Sequence, residues 1–264
     1  RMPGGRLMLA ALLALYVLSV GGEAAGPSTR VTRMTALLFP APDWPTLPVE
    51  GADARFPVRR VFCVGRNYAA HAAEMGAEVD REAPFYFTKS ALAVVPSGTT
   101  QPYPPETADL HHEVELVVAL GAAGFRVAPE AAMGLVWGYG VGLDMTRRDL
   151  QAAAKDKRRP WSMGKDFAGS AVIGPLTPAA GFTPDAQRIA LSVNGELRQD
   201  AVLAEMVWRV PELIADLTRY ERLGPGDLIM TGTPAGVGAV VPGDRLEGRI
   251  DGLAPVTLSV GPAD

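Results

Sequence analysis

The sequence contains a single cysteine, Cys63, among its 264 residues. One thiol excludes an internal disulfide bond and also a zinc site built from several cysteines. Cys63 lies within the apolar run 61–64, which favours a buried and unreactive side chain over a catalytic thiol. The chemistry of this chain is therefore expected to depend on oxygen and nitrogen groups.

The sequence also lacks an excess of positive charge. The chain has 25 Lys and Arg against 29 Asp and Glu, so the composition offers no basic surface for nucleic acid or an anionic membrane. The glycine-rich stretch "TGTPAGVG" at 231–238 lacks the Gly-Lys-Ser/Thr ending of a P-loop, which excludes nucleotide binding of that kind. The regular alternation of strands and helices in a Rossmann fold or barrel is missing too. We therefore expect a strand-rich α+β protein with short helices.

Residues 1–33 differ in composition from the rest of the chain. Arg1 and Arg6 precede an apolar run at 7–20, which is typical of a secretory signal peptide and too short for a comfortable transmembrane helix. We favour the alternative that translation starts at Met34. Residues 1–33 would then be upstream sequence wrongly assigned to a cytoplasmic protein, and they would be dispensable for folding and activity. A true signal peptide would instead make the protein secreted or periplasmic. A proline-rich, extended lead-in at 34–60 and a single catalytic domain at 61–264 complete the predicted organisation.

A strand that carries two glutamates is the first indication of a functional site. In "HHEVELVV", residues 111–118, Val114 and Leu116 alternate onto one face, so Glu113 and Glu115 point to the other. By strand geometry these carboxylates lie roughly 7 Å apart at the backbone. Like charges this close repel each other unless a cation compensates them. The alternative is an exposed strand face with two solvated glutamates.

Asp144 is the next carboxylate in a suitable place, because it ends the apolar strand in "GYGVGLD" just before a predicted helix. Three carboxylates, with no cysteine cluster and few histidines, favour a hard ion: Mg²⁺, or else Mn²⁺ or Ca²⁺. In the alternative, Asp144 only caps the helix that follows. We predict that Thr146 caps this helix, with Asp149 as its partner in a capping box.

Two pairs of polar residues have helical spacing. His71 and Glu74 are three residues apart in a predicted short helix that Gly76 ends, so they share one face. A carboxylate beside an imidazole orients the ring and raises its basicity, as a general base requires. Arg148 and Gln151 likewise share a face of the helix after Asp144. On spacing alone we would assign the first pair to the exposed surface, and the second pair leaves the same alternative open.

Several segments together resemble the fumarylacetoacetate hydrolase family, from about Arg60 to the C-terminus. They follow the family's order, namely "VGRNYAAHAAEMG", "HHEVELVVALG", "GYGVGLDMTRRDLQ", "WSMGKDF", "VNGELRQ" and "GDLIMTGTPAGVG". The similarity is greatest to fumarylpyruvate hydrolases and acylpyruvase-like members. It implies a mixed β-roll fold around a Mg²⁺ site whose ligands are Glu113, Glu115 and Asp144.

The same resemblance implies roles for other residues. His71, oriented by Glu74 on a lid-like helix, is expected to activate water, and Lys165 is expected to stabilise an oxyanion or enolate. Substrate contacts are implied for Arg148, Gln151, Thr233 and Lys89. Related members usually have proline after the lysine that Lys89 matches, whereas this chain has Ser90.

Together these residues predict a Mg²⁺-dependent hydrolase that cleaves a C–C bond of a 2,4-diketo acid. The substrate would be fumarylpyruvate or another acylpyruvate, and the products pyruvate and a carboxylic acid, as in the catabolism of aromatic compounds. The resemblance also implies a homodimer. The alternatives are an oxaloacetate decarboxylase, an isomerase or decarboxylase of aromatic degradation that uses the same site, and a metal-binding protein without catalysis. The presence of His71, Glu74 and Lys165 together argues against the last.

Overall fold

The structure is a computed structural model that describes residues 37–76 and 81–263. The predicted extension at 1–33, with its apolar run, lies outside these residues. From Asp43 onward the chain forms one compact unit, which contains every helix and strand described below. No helix within the described ranges is long and apolar enough to cross a membrane.

Strands dominate the described part of the chain, as the sequence predicts. In chain order they are β1 Thr46–Pro48, β2 Arg55–Pro57, β3 Arg60–Gly65, β4 Phe85–Lys89, β5 Val94–Pro96, β6 Thr99–Tyr103, β7 Leu110–His112, β8 Val114–Leu120, β9 Val136–Asp144, β10 Thr146–Arg147, β11 Ala171–Ile173, β12 Thr177–Pro178, β13 Arg188–Val193, β14 Glu196–Val202, β15 Asp227–Met230, β16 Gly238–Val240, β17 Arg245–Ile250 and β18 Val256–Ala263. The α-helices are α1 Ala69–Glu74, α2 Pro129–Ala132, α3 Arg148–Asp156, α4 Ser162–Lys165 and α5 Val210–Tyr220. The strand-rich α+β class is thereby confirmed.

The largest sheet runs in the order β4-β3-β15-β8-β9-β11-β5, and β12 extends it by pairing with β9. It is mixed, because β3 lies parallel to β15 and β5 parallel to β11, whereas β8 and β9 at its centre are antiparallel. Along β8, Val114 and Leu116 face one core while Val117 and Ala119 face another. The predicted period-two alternation of this strand is confirmed.

A five-stranded sheet, in the order β14-β13-β17-β18-β6, packs on one face of the large sheet. Side chains of both sheets form the larger core, in which Ile189 and Leu246 join Val114 and Leu143. Gly248 of β17 allows the close approach, because a Cβ at this position would lie 3.0 Å from Cγ2 of Val114. This pairing of curved sheets is the predicted mixed β-roll.

The other face of the large sheet is covered by the paired strands β1 and β2. Leu47 and Phe56 of these strands are buried in a second core together with Val117. The predicted lead-in at 34–60 therefore supplies a hairpin to the core, so the folded unit begins before residue 61. Cys63 is fully buried in the same core, and burial raises the pKa of its thiol well above the usual range, as expected for an unreactive cysteine.

The start of α3 differs from the sequence prediction. The helix begins at Arg148 and has no side-chain cap. Thr146 instead lies in β10, which pairs with β7, and its hydroxyl donates to the carbonyl oxygen of Asp144 at 3.2 Å. Asp149 accepts a 2.6 Å hydrogen bond from the hydroxyl of Thr107, which lies outside the helix. The predicted capping box is wrong because strand pairing holds Thr146 away from the capping position.

Two other local features follow directly from the residues that form them. Asn194 and Gly195 have positive φ angles of 53° and 83°, as the tight turn between β13 and β14 requires. Helix α5 carries Pro211 in its first turn, where the missing N–H of proline costs nothing.

Candidate active site

Three carboxylates meet at one end of the two neighbouring strands β8 and β9 of the large sheet. Glu113 lies between β7 and β8, Glu115 lies within β8, and Asp144 ends the neighbouring β9. Antiparallel pairing places Glu115 opposite Gly142, and the N–H of Asp144 donates to the Glu113 carbonyl at 2.9 Å. Each carboxylate offers an oxygen within 4.8 Å of the other two, and all three side chains are buried. Burial excludes the alternative of solvated glutamates on an exposed strand.

Three cations surround this acidic cluster. Nζ of Lys165 lies 2.8 Å from Oε2 of Glu113 and 2.8 Å from Oδ2 of Asp144. Nη2 of Arg148 lies 2.5 Å from Oε1 of Glu113, and Nζ of Lys89 lies 2.8 Å from Oδ1 of Asp144. The formal charges of this buried group therefore cancel.

The two glutamates have opposite electrostatic environments. Burial by itself raises the pKa of Glu113, but Lys165 and Arg148 outweigh burial and hold that pKa well below the usual range. Burial, together with the charges of Asp144 and Glu113, raises the pKa of Glu115 well above the usual range, although the N–H of Gly232 donates to it at 2.9 Å. A carboxylate destabilised by like charges is one that a bound cation would stabilise.

The residues of the cluster fit a divalent metal ion. Oδ1 of Asp144 is buried without a hydrogen bond, because its 2.8 Å contact with Lys89 lacks the geometry of one. Oxygen atoms from three carboxylates are the donors that hard ions such as Mg²⁺ and Mn²⁺ prefer. Glu113, Glu115 and Asp144 are thus brought together in the arrangement that their predicted role requires.

His71 and Glu74 lie above the cluster on helix α1. Nδ1 of His71 is 3.3 Å from Oε2 of Glu74, and the N–H of Gly236 donates to both oxygens of Glu74 at 3.2 Å. The His71 side chain is buried and lines the same pocket as Glu113 and Glu115. His71 therefore belongs to the pocket, contrary to the surface position that spacing alone favours, whereas Glu74 is exposed and does not line it.

The loop 231–238 contacts the site through its backbone. Its Gly232 N–H donates to Glu115 and its Gly236 N–H to Glu74, so one loop holds both the acidic cluster and the His71 helix. Gly236 has φ of +94°, and a Cβ there would lie only 2.1 Å from the carbonyl oxygen of Arg198. Only glycine fits this position, which explains the glycine-rich composition without a nucleotide.

Gln199 on β14 links the loop 231–238 to strand β8 by hydrogen bonds. Its Oε1 accepts hydrogen bonds from the Val114 N–H (3.1 Å) and from Nδ1 of His112 (3.0 Å). Its Nε2 donates to the hydroxyl of Thr233 and to the carbonyl oxygen of Pro234, both at 2.8 Å. The fully buried amide thus uses all of its hydrogen-bonding capacity. Sequence reasoning missed Gln199, although it ends the quoted motif "VNGELRQ".

We expect Gln199→Leu to destabilise the protein and to impair catalysis. Leucine leaves buried donors and acceptors unpaired, which should lower the free energy of unfolding by about 2 kcal/mol or more. It also frees the loop that holds Glu74 and Thr233, so kcat/KM should fall by about tenfold or more. Chemical denaturation and steady-state kinetics measure the two effects, and hydrogen exchange of the Gly236 amide reports whether the loop is released.

Gln187→Leu provides the matched control, because the side-chain hydrogen bonds of Gln187 stay within one exposed turn. It should leave kcat/KM and Gly236 exchange unchanged. If Gln199→Leu were less stable but kept full activity and slow Gly236 exchange, Gln199 would be a purely structural residue.

The pocket above the cluster is lined by most of the predicted site residues. Those that line it are His71, Glu113, Glu115, Arg148, Gln151, Lys165 and Thr233. Nη1 of Arg148 donates to Oε1 of Gln151 at 2.7 Å, so their shared helix face is turned into the pocket. Arg147 does not line the pocket, and its guanidinium lies 4.3 Å from the centre of the Phe167 ring.

Lys89 does not line this pocket. Its fully buried amine contacts Asp144 and donates to the carbonyl oxygen of Lys165, so its position favours holding a carboxylate over touching a substrate. The neighbouring Ser90 N–H donates to Oδ1 of Asp166 at 2.8 Å, a bond that proline could not make. The departure from the family pattern thus ties β4 to the segment that carries Lys165.

Three comparisons relate this chain to known proteins. The family model described as "Fumarylacetoacetate (FAA) hydrolase C-terminal" matches residues 60–260. A fumarylpyruvate hydrolase from Ralstonia sp is 51% identical over 192 residues, which are 72% of this chain and 100% of that protein. A mitochondrial oxaloacetate tautomerase from Homo sapiens is 40% identical over 203 residues, which are 76% of this chain and 91% of that protein. The crystal structure of a fumarylpyruvate hydrolase from Pseudomonas aeruginosa in complex with Mn²⁺ and pyruvate has a TM-score of 0.83 at 49% identity and covers 86% of this chain and 100% of its own.

Proposed function

The chain belongs to the fumarylacetoacetate hydrolase family of enzymes, and from this premise we propose that it hydrolyses the C–C bond of a 2,4-diketo acid. We infer Mg²⁺ as the resident ion and fumarylpyruvate as the substrate. The observation that carries the proposal is one pocket lined by two of the three clustered carboxylates, by a carboxylate-paired histidine and by a buried lysine. The Ralstonia and Pseudomonas relatives, whose names specify this reaction, support it.

Glu113, Glu115 and Asp144 would hold the divalent ion. When bound, the ion supplies a Lewis acid that polarises the oxygens of the substrate. The charges of the protein groups cancel without it, as described above. A substrate with two negative charges would balance a divalent ion held by these carboxylates, which favours a doubly charged diketo acid.

His71 is the residue placed to activate water. Because Nδ1 is turned to Glu74 at 3.3 Å, Nε2 is the ring nitrogen left to take a proton from water. The resulting hydroxide attacks the C4 carbonyl of the substrate and forms a tetrahedral adduct. When the adduct collapses, the C3–C4 bond breaks, its electron pair passes to the pyruvate half as an enolate, and C4 becomes the new carboxylic acid.

Lys165 is placed to stabilise the enolate. Burial alone lowers the pKa of Lys165, but the charges of Asp144 and Glu113 outweigh burial and raise it to about 12. The amine therefore stays a cation throughout the physiological range and can attract the negative charge that develops on the pyruvate half. Protonation of the enolate at C3 then gives pyruvate.

Release of pyruvate from a panel of substrates tests the proposal. With Mg²⁺ present, the enzyme should release pyruvate from fumarylpyruvate and acetylpyruvate, and EDTA should stop the reaction. Oxaloacetate serves as the comparison substrate, because its decarboxylation also yields pyruvate but needs no water. A higher kcat/KM for oxaloacetate than for every acylpyruvate would contradict the proposal.

Chemistry on oxaloacetate is the second candidate function. Relatives at about 40% identity are named oxaloacetate tautomerases, and oxaloacetate also forms an enol at the carbon next to its keto group. Such a reaction would use the same carboxylates and Lys165 but would not need His71 to activate water. A homodimer remains a prediction of the family resemblance.

A further inference from the structure

Two basic residues at the outer wall of the pocket have no part in the proposed mechanism. Arg66 directly follows β3 and has φ of +59°, a conformation that is costly for a residue with a side chain. Lys155 lies on α3, four residues after Gln151 and seven after Arg148, and therefore on the same helix face. Both Arg66 and Lys155 line the pocket that contains His71.

These two cations differ from the cations of the inner site. Arg148, Lys165 and Lys89 each contact a carboxylate, whereas within residues 37–76 and 81–263 neither Arg66 nor Lys155 forms an ion pair. Burial lowers the pKa of Lys155, and the positive charges of Arg66 and Arg148 lower it further, while Asp156 opposes them more weakly. The outer wall therefore carries uncompensated positive charge, and the inner site is balanced.

The spacing of residues along α3 sets the length of a ligand that would reach both the inner site and the outer wall of the pocket. Seven residues at 1.5 Å each place Lys155 about 10 Å along the helix axis from Arg148, which contacts Glu113. Two carboxylates separated by five carbon atoms lie about 7 Å apart in an extended chain, and the flexible lysine side chain can close the remaining gap. A four-carbon diacid such as oxaloacetate is too short to reach both ends.

We propose that Arg66 and Lys155 form a subsite for a second carboxylate at the far end of the acyl chain, so that the enzyme selects 2,4-diketo acids that are dianions. This inference rests on the proposed function, because it assumes that the α-keto acid end lies at the acidic cluster. The two ends of the pocket would then bind different parts of the substrate. The inner end would bind the reacting carbonyl groups, and the outer end would select the length and charge of the acyl chain.

Binding to the His71→Ala protein in the presence of Mg²⁺ tests the subsite without turnover. Calorimetry should give an affinity for fumarylpyruvate about tenfold or more above that for acetylpyruvate, which lacks the second carboxylate. Lys155→Met and Arg66→Gln, each added to this background, should lower the affinity for fumarylpyruvate by about tenfold and change that for acetylpyruvate by less than about threefold. Lys155→Arg should largely restore the preference.

Lys157→Met is the matched control, because Lys157 lies just beyond α3, is exposed and does not line the pocket. It should leave both affinities unchanged. An unaltered preference in Lys155→Met and Arg66→Gln, or an equal loss for both ligands, would overturn the subsite. The proposed function fails on a separate result, namely the absence of pyruvate release from either acylpyruvate by the unmodified enzyme.

Discussion

Glu115→Gln is expected to lower the affinity for Mg²⁺ by more than about a hundredfold and to abolish pyruvate release. The substitution preserves the size of the side chain and an oxygen that can accept from Gly232. It removes one of three carboxylates that lie within 4.8 Å of one another, so the site loses both a ligand and the charge that attracts the ion. Calorimetry measures the Mg²⁺ affinity, and a coupled pyruvate assay measures the activity.

The same variant should be at least as stable as the unmodified protein when metal is withheld. Because the folded state raises the pKa of Glu115, ionised Glu115 costs free energy in folding. That cost is fully present above the raised folded-state pKa and disappears as the pH falls below the unfolded-state pKa. In EDTA at neutral pH the free energy of unfolding of Glu115→Gln should therefore equal or exceed that of the unmodified protein, and the difference should shrink in acid.

Glu130→Gln is the control for both effects, because Glu130 is exposed on α2 and has no place in the cluster. It should change neither the Mg²⁺ affinity nor the stability. Ordinary Mg²⁺ affinity in Glu115→Gln would place the ion elsewhere. A clear loss of stability in EDTA would mean that Glu115 supports the metal-free fold through contacts other than its charge.

His71→Ala should reduce hydrolysis of acylpyruvates by roughly a hundredfold or more, the usual effect of losing a general base. Decarboxylation of oxaloacetate should fall much less, since no water has to be deprotonated. Lys165→Ala should weaken both reactions, because both develop negative charge on an enolate. The ratio of the two activities, measured by steady-state kinetics for each variant, therefore separates water activation from enolate stabilisation.

Glu74→Gln refines this test. The amide can still contact His71 but carries no charge, so hydrolysis should fall by less than in His71→Ala, and the two activities should again diverge. If His71→Ala kept nearly full hydrolysis, the base would have to be another group around the pocket. Equal losses of both activities in His71→Ala would indicate that the ring supports the site as a whole.

Local sequence patterns determined the elements and the composition of the acidic cluster. Alternating apolar residues in 111–118 predict a strand with Val114 and Leu116 on one face and the two glutamates on the other, and β8 has that arrangement because side-chain direction in a strand depends only on position. The turn at Asn194 and Gly195 follows equally from local backbone preference. Spacing identified the His71–Glu74 pair, although only the family resemblance assigned it to catalysis.

Tertiary structure alone decided which distant groups meet. Gln199 holds the loop at Thr233, Lys89 holds Asp144 instead of lining the pocket, and strand pairing removed Thr146 from its predicted cap. Tertiary structure also decided that Arg66 and Lys155 line one wall of the pocket, since 88 intervening positions separate them in sequence. Such contacts depend on strand register and on the packing of sheets against helices. A sequence pattern specifies the direction of a side chain relative to its own element, but the relative placement of two elements is a property of the whole folded chain.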